Sequence, residues 1–157
     1  MFEHLHDQYS YVQKNFSGQG TKGYIGLVQC DLFNHNSKWI DDPVIIEEVR
    51  MASLPEIAAM KIYAIMESDG TRLKDFIDIA FLSEKLSVNQ MLNAFKKKYV
   101  GIADTLALKS LFYFENIDFT KPVQFVDRKV TWKQLEFRLD EMQQHTGSTF
   151  PPLQNSR

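Results

Sequence analysis

The stretch SLPEIAAMKIYAIMESDGTRLKDFIDIAFL, Ser53 to Leu82, decides how this chain is read. Ser53 offers a capping hydroxyl, Pro55 suits a first turn and Glu56 stands at the third helical position, so a helix is predicted from Leu54 to about Ser68. Asp69-Gly70 ends it. A second helix is predicted from Thr71 to Leu86, a third from Val88 to Tyr99, a fourth from Ala103 to about Phe114 and a last from Trp132 to His145. The connections are short, as in a helical bundle, apart from VQFVDRKVT (123–131), which reads as a small hairpin or extended segment. The closing GSTFPPLQNSR has loop composition and reads as a flexible tail over 147–157.

Upstream of Ala52 the pattern changes. Phe2, Leu5 and Tyr9 are spaced for one short amphipathic helix. Tyr11 to Phe33 is aromatic and β-branched around Ser17-Gly18-Gln19-Gly20-Thr21, the pattern of two strands and a hairpin loop, the second strand being YIGLVQCDLF (24–33). Asn34 to Pro43 reads as loop, and Val44 to Met51 as the place of one short strand. The expected class is therefore α+β, with a sheet (a β-hairpin plus a short strand) packed on a bundle of about five helices. The expected domains are an α/β region over 1–51 and a helical domain over 52–146.

Composition limits the function classes. The 157 residues carry a formal charge of -2, which removes the case for a wholly basic nucleic-acid coat and leaves only local basic patches. The single Cys30 excludes an internal disulfide and a multi-cysteine zinc site. No run of roughly 18 apolar residues is present to span a bilayer, so no membrane partner is expected. Glu3, His4, His6 and Asp7 stand where a signal peptide would have its apolar core, and the cytoplasm is the expected location.

Three places could carry chemistry. Lys61 lies within the stripe Ile57, Lys61, Ile65, four residues apart, either snorkelling to water or working at a site. Asp75 and Asp78 sit three apart on a helix that is apolar almost all round, where they can share a metal, pair with Lys61, Arg72 and Lys74 in a structural network, or bond to backbone. Asp31, near the end of a strand, is an ordinary strand-end acid or one member of a Mg2+-binding carboxylate cluster. Lys96, Lys97 and Lys98, between Phe95 and Tyr99, form the best basic patch: a solvated helix end favoured by the helix dipole, or a nucleic-acid contact. Gly18 to Gly23 lacks the Gly-Lys-Ser/Thr ending of a phosphate-binding loop, and His4, His6, His35 and His145 are not spaced as metal pairs.

RMASLPEIAAMKIYAI followed by DGTRLKDFIDIAFL resembles the AbiEii/AbiGii nucleotidyltransferase toxin family of abortive-infection and type IV toxin-antitoxin systems, over residues 2–115 and most closely over 49–82. The resemblance implies a polymerase-β-like nucleotidyltransferase sheet, Mg2+ and a nucleoside triphosphate, and transfer of a nucleotide to RNA, with tRNA the expected acceptor. It implies Lys61 as the lysine that holds nucleotide phosphates, with Lys74 beside it, Asp75 and Asp78 as the acids of the second motif, and Asp31 as the strand acid of the metal site. An antitoxin is the implied partner. The family's first motif, Gly-Ser followed roughly ten residues later by Asp-x-Asp, has no counterpart here, because no Asp-x-Asp occurs in the sequence. The expectation is an N-terminally truncated member that is inactive by itself, or a non-catalytic remnant serving as an antitoxin- or RNA-binding helical module. Such a truncation would also leave an open sheet edge and the expectation of self-association.

Overall fold

The computed structural model describes residues 7–8, 10–17, 20–33, 38–125 and 129–154. The chain divides into two compact units, Met1–Ser37 and Lys38–Arg157. The short helix expected over Phe2 to Tyr9 falls almost wholly outside the described residues, as do His4, His6, His35 and the middle of VQFVDRKVT.

In the first unit three antiparallel strands lie in chain order, β1 (Tyr11–Ser17), β2 (Gly20–Ile25) and β3 (Val28–Phe33). The sequence reading gave one strand across YIGLVQCDLF, and the structure breaks it in two. Gly26 takes φ +58 and Leu27 is fully exposed, so the two form a tight hairpin turn that reverses the chain between Ile25 and Val28. The register follows, with Gly23 opposite Cys30 and Lys22 opposite Asp31. Across the other ladder Tyr11 is buried, and its hydroxyl shares a hydrogen bond of 3.2 Å with the Thr21 hydroxyl. Gly23 makes room for that ring, since a Cβ there would stand 2.4 Å from it.

The second unit opens with a hairpin, β4 (Val44–Ile46) and β5 (Val49–Met51), where one strand was expected. Its turn residues Glu47 and Glu48 take φ +47 and +66, a conformation that turn sequences usually fill with Asn-Gly. No glycine or asparagine marks this turn in the sequence, which is why it reads as continuous strand.

Five helices follow among the described residues: α1 (Leu54–Glu67), α2 (Leu73–Leu82), α3 (Val88–Lys98), α4 (Asp104–Leu111) and α5 (Trp132–Gln144). α1 packs against α2, α3 and α4, while α2 also meets α5. The core between them holds Ile62, Ile65, Phe76, Ile79, Met91, Phe95, Leu111, Leu135, Leu139 and Met142, all buried. Two reciprocal caps start helices as their spacing requires, Ser87 with Gln90 and Thr131 with Gln134.

The cap of α1 differs in one respect. The Ser53 hydroxyl accepts from the Glu56 amide at 3.2 Å, but the Glu56 carboxylate turns inward. One of its oxygens accepts from the Ile40 amide at 2.8 Å and the other receives the Lys98 ammonium, which also donates to the Lys38 carbonyl at 3.2 Å. Both side chains of this ion pair are 1% exposed. Lys98 is therefore removed from the predicted basic patch. It lies seven residues after Met91 and three after Phe95, on the buried side of α3, whereas Lys96 and Lys97 are exposed.

α2 ends at Leu82, short of the predicted Leu86, because Ser83 is engaged elsewhere. Its hydroxyl donates to the Ala80 carbonyl at 2.6 Å and accepts from Arg138 Nη1 at 3.0 Å, and its carbonyl accepts from the Phe150 amide at 3.0 Å. The same contacts correct the reading of the final segment as loose. Arg138 Nη2 donates to the Pro151 carbonyl at 2.7 Å, the Leu153 amide donates to Glu84 at 3.0 Å, and Leu153 itself is buried. Residues 150–153 thus lie as a strap across the turn between α2 and α3.

Two stability outcomes follow from these features. Lys98→Met leaves the Glu56 carboxylate buried without its counter-charge and is expected to lower unfolding free energy in urea by about 3 kcal/mol or more, with Glu56→Leu/Lys98→Met costing less than Lys98→Met alone. Replacing Glu47-Glu48 by Asn-Gly relieves two left-handed glutamates and is expected to slow amide exchange in the β4–β5 hairpin, with a gain of about 1 kcal/mol.

Candidate functional site

Lys61 projects from the middle of α1 toward α2, whose first two turns carry Asp75 and Asp78. The Lys61 ammonium donates to Asp75 Oδ1 at 2.9 Å and lies 2.5 Å from Asp78 Oδ2. The two acids converge because residues three apart on a helix share a side. Their environments differ, since the Asp75 carboxylate is 1% exposed and that of Asp78 is 43% exposed. Arg72, just before α2, places Nε 2.8 Å from Asp75 Oδ2 without directing a hydrogen bond at it, so this buried oxygen accepts no hydrogen bond. Two cations and two anions therefore meet, and the cluster is neutral.

Burial would lower the Lys61 pKa, but its hydrogen bonds to Asp78 and Asp75 outweigh burial and raise it above the ordinary 10.5. The lysine is charged at neutral pH. An ammonium has three donors, and the two carboxylates take two of them. Lys61 and Asp78 line an open groove of about 480 Å3 with Leu54, Ile57, Phe81 and Lys85. Glu84 also lines the groove, so an anion there would reach the Lys61 ammonium only in competition with carboxylates, beside an apolar wall.

Lys74 is exposed and makes none of the ion pairs found among the described residues. Asp31 belongs to the first unit, where Lys22 on the neighbouring strand approaches it at 3.6 Å and Gln29 donates to it at 3.1 Å. Among the described residues no three His, Cys, Asp or Glu side chains converge as metal ligands. With Asp31 on Lys22 and both second-motif acids on Lys61, the described carboxylates do not fit a Mg2+ site.

Sequence reasoning placed Arg72 in an ion-pair network with these acids, where it stands beside Asp75, but missed the Glu56–Lys98 pair. The signal for the pair was available in the placing of Lys98 at the end of the Met91–Phe95 stripe. Beside that pair Tyr99 stacks on Tyr63 with ring centres 4.3 Å apart, and burial, reinforced by Tyr63 and Glu56, pushes its hydroxyl up to about 12. It stays protonated at neutral pH. Lys96 lies 3.8 Å from Asp104, with both side chains exposed.

The family described as nucleotidyl transferase AbiEii toxin, type IV TA system, matches residues 34–149, more than half of the chain, and the chain belongs to that family. Comparison with curated proteins and with solved structures gave no match. No helix among the described residues is long and apolar enough to cross a membrane.

The pH dependence of the cluster has a definite sign. A raised lysine pKa means that the folded state holds the proton more tightly, so the stabilisation is complete below pH 10.5 and is lost as pH rises through the raised value. Lys61→Met is expected to cost about 2 kcal/mol in urea unfolding at pH 7, because Asp75 keeps only Arg72. The gap between the variant and the parent should narrow above pH 10.5.

Proposed function

We propose that the helical unit supplies the phosphate-holding half of a toxin nucleotidyltransferase site, in which Lys61 neutralises the phosphates of a nucleoside triphosphate and Asp75 holds that lysine in place. The observation that carries this reading is the Lys61 ammonium fixed by two carboxylates, with its third donor left for the adjoining groove. Arg72 approaches the buried Asp75 from its other side at 2.8 Å, and Asp78, the exposed acid, is the partner that an arriving phosphate displaces most readily. In the family reaction an RNA hydroxyl oxygen bonds to the α-phosphorus while the bond to the leaving pyrophosphate breaks. The acceptor in this reading is tRNA in the cytoplasm, with the exposed Lys96 and Lys97 as charges that could meet its phosphates. A type IV antitoxin is the genetic counterpart that such a toxin needs.

A divalent metal would supply further charge neutralisation in that reaction, but Asp31, Asp75 and Asp78 are each paired with a lysine, and these 157 residues hold no Asp-x-Asp. That observation favours a second reading, in which this chain binds nucleotide or RNA without turning it over.

The two readings separate in one set of measurements. With Mg2+, labelled nucleoside triphosphates and total tRNA, the chain is expected to incorporate no nucleotide above a Lys61→Ala control, while a fluorescent triphosphate should bind and lose about tenfold in affinity with Lys61→Met. Lysine-dependent incorporation would show that the chain turns nucleotide over unaided. Equal triphosphate binding by parent and Lys61→Met, in protein shown to be folded, would remove Lys61 from the site altogether.

A further inference from the structure

The β4–β5 hairpin has no third strand among the described residues, and every residue of both strands is exposed. Its register settles which side chains share a face. Val44 stands opposite Met51 and Ile46 opposite Val49, and alternation along each strand puts these four on one side, with Ile45 and Arg50 on the other. The first side is therefore wholly apolar, yet its four residues are 45–60% exposed. No helix of its own unit covers it. A lone two-stranded hairpin is marginal in water, and an apolar face of this kind is stable when a further strand or a helix packs on it.

The charges around this face have one sign. Asp41 and Asp42 stand just before β4 at one end, and Glu47 and Glu48 form the turn at the other, all four exposed. Asp42, Glu47 and Glu48 enter none of the ion pairs found among the described residues. Arg50, the one cation in the two strands, belongs to the opposite side. The turn glutamates do not serve the hairpin itself, since both take left-handed φ, +47 and +66, where Asn-Gly would sit without strain. What they offer is charge.

These features choose the occupant. A second copy laid on this face would bring like acids together in either orientation, and a nucleic acid or an anionic membrane would meet the same repulsion. Four half-exposed side chains also fall well short of the roughly 800 Å2 per partner that a stable dimer of standard size buries. They suit a single helix, whose diameter of about 10 Å matches the width of two paired strands with their side chains. We propose that the apolar face of the β4–β5 hairpin docks a basic amphipathic helix of a partner polypeptide. Its apolar stripe covers Val44, Ile46, Val49 and Met51, and its lysines or arginines pair with Glu47 and Glu48. The surface shares no residue with the Lys61 cluster and does not depend on the phosphate-holding reading.

The test uses the full chain with methyl-labelled methionine and two synthetic peptides: a short amphipathic helix built only from leucine and lysine, and its counterpart with glutamate for lysine. The lysine peptide is expected to bind and to shift the exposed Met51 methyl, leaving Met91 and Met142 of the core in place, whereas the glutamate peptide should do neither. Ile46→Thr/Val49→Thr keeps a β-branched residue in each strand and should weaken binding about tenfold. Glu47→Gln/Glu48→Gln leaves the apolar face untouched and should weaken it about fivefold. Glu67→Gln/Asp140→Asn removes two exposed acids elsewhere and should change nothing. Equal binding of the two peptides, binding indifferent to Ile46→Thr/Val49→Thr, or an equal loss with Glu67→Gln/Asp140→Asn would each overturn the proposal. So would sedimentation of the free chain as a dimer that Ile46→Thr/Val49→Thr dissolves, because a second copy would then hold the face.

Discussion

Helix α1 is enclosed by α2, α3 and α4, and that enclosure dictates the polar architecture of the helical unit. Where its neighbours cover it, α1 cannot send a charged side chain freely to water, and a buried charge without a partner costs several kcal/mol. Glu56 and Lys61 meet this constraint in opposite directions, one through Lys98 of α3 and the other through Asp75 and Asp78 of α2. Apolar contacts between helices tolerate small slides, whereas ion pairs of this length do not. The two clusters therefore fix the axial register of α1 against both neighbours.

The two clusters differ in what they leave over. The Glu56–Lys98 pair is closed, since each side chain is almost wholly buried and also takes a backbone partner from residues 38–40. The Lys61 cluster is open on one side, with a half-exposed Asp78 and a groove beside the ammonium. Chemistry with an outside ligand needs the second kind of arrangement. The chain's AbiEii membership is a property of the sequence, and the proposed role of this opening adds one constraint: with Lys61, Arg72, Asp75 and Asp78 balanced in charge, any anion entering it would compete with a carboxylate already in place.

Much of the helical unit was legible in the sequence because it is written in local signals. Ser53, Ser87 and Thr131 each cap a helix, and Lys61 four residues from Ile57 and Ile65, like Asp75 and Asp78 on the next helix, marked a charge whose surroundings needed explanation. What was hidden depended on contacts between distant residues or on unusual backbone. The Gly26-Leu27 turn is a hairpin only because β2 and β3 pair across it, and the Glu47-Glu48 turn uses residues that rarely accept left-handed geometry. Lys98 matched its lysine neighbours in composition, and only the packing of α3 against α1 separates it from them. The strap at Phe150 to Leu153 was illegible for a similar reason. Its composition is that of a loop, and its partners stand some seventy residues away.

That separation bears on the order in which the unit assembles. Helices α1 to α4 are joined by short connections and can meet while their contacts are still near-neighbour ones along the chain, which makes them the early and fast part of folding. The turn at Ser83 and Glu84 cannot be completed then, because the groups that satisfy it, Arg138 and the amides of Phe150 and Leu153, must first be brought back over a long loop. Pro151 and Pro152 restrict that returning segment to an extended path and remove two amide donors, leaving Phe150 and Leu153 as the residues whose amides close it. The strap is thus a late clasp. A nascent helical core lacking it would expose an unfinished α2–α3 junction to chaperones and proteases before the unit is complete.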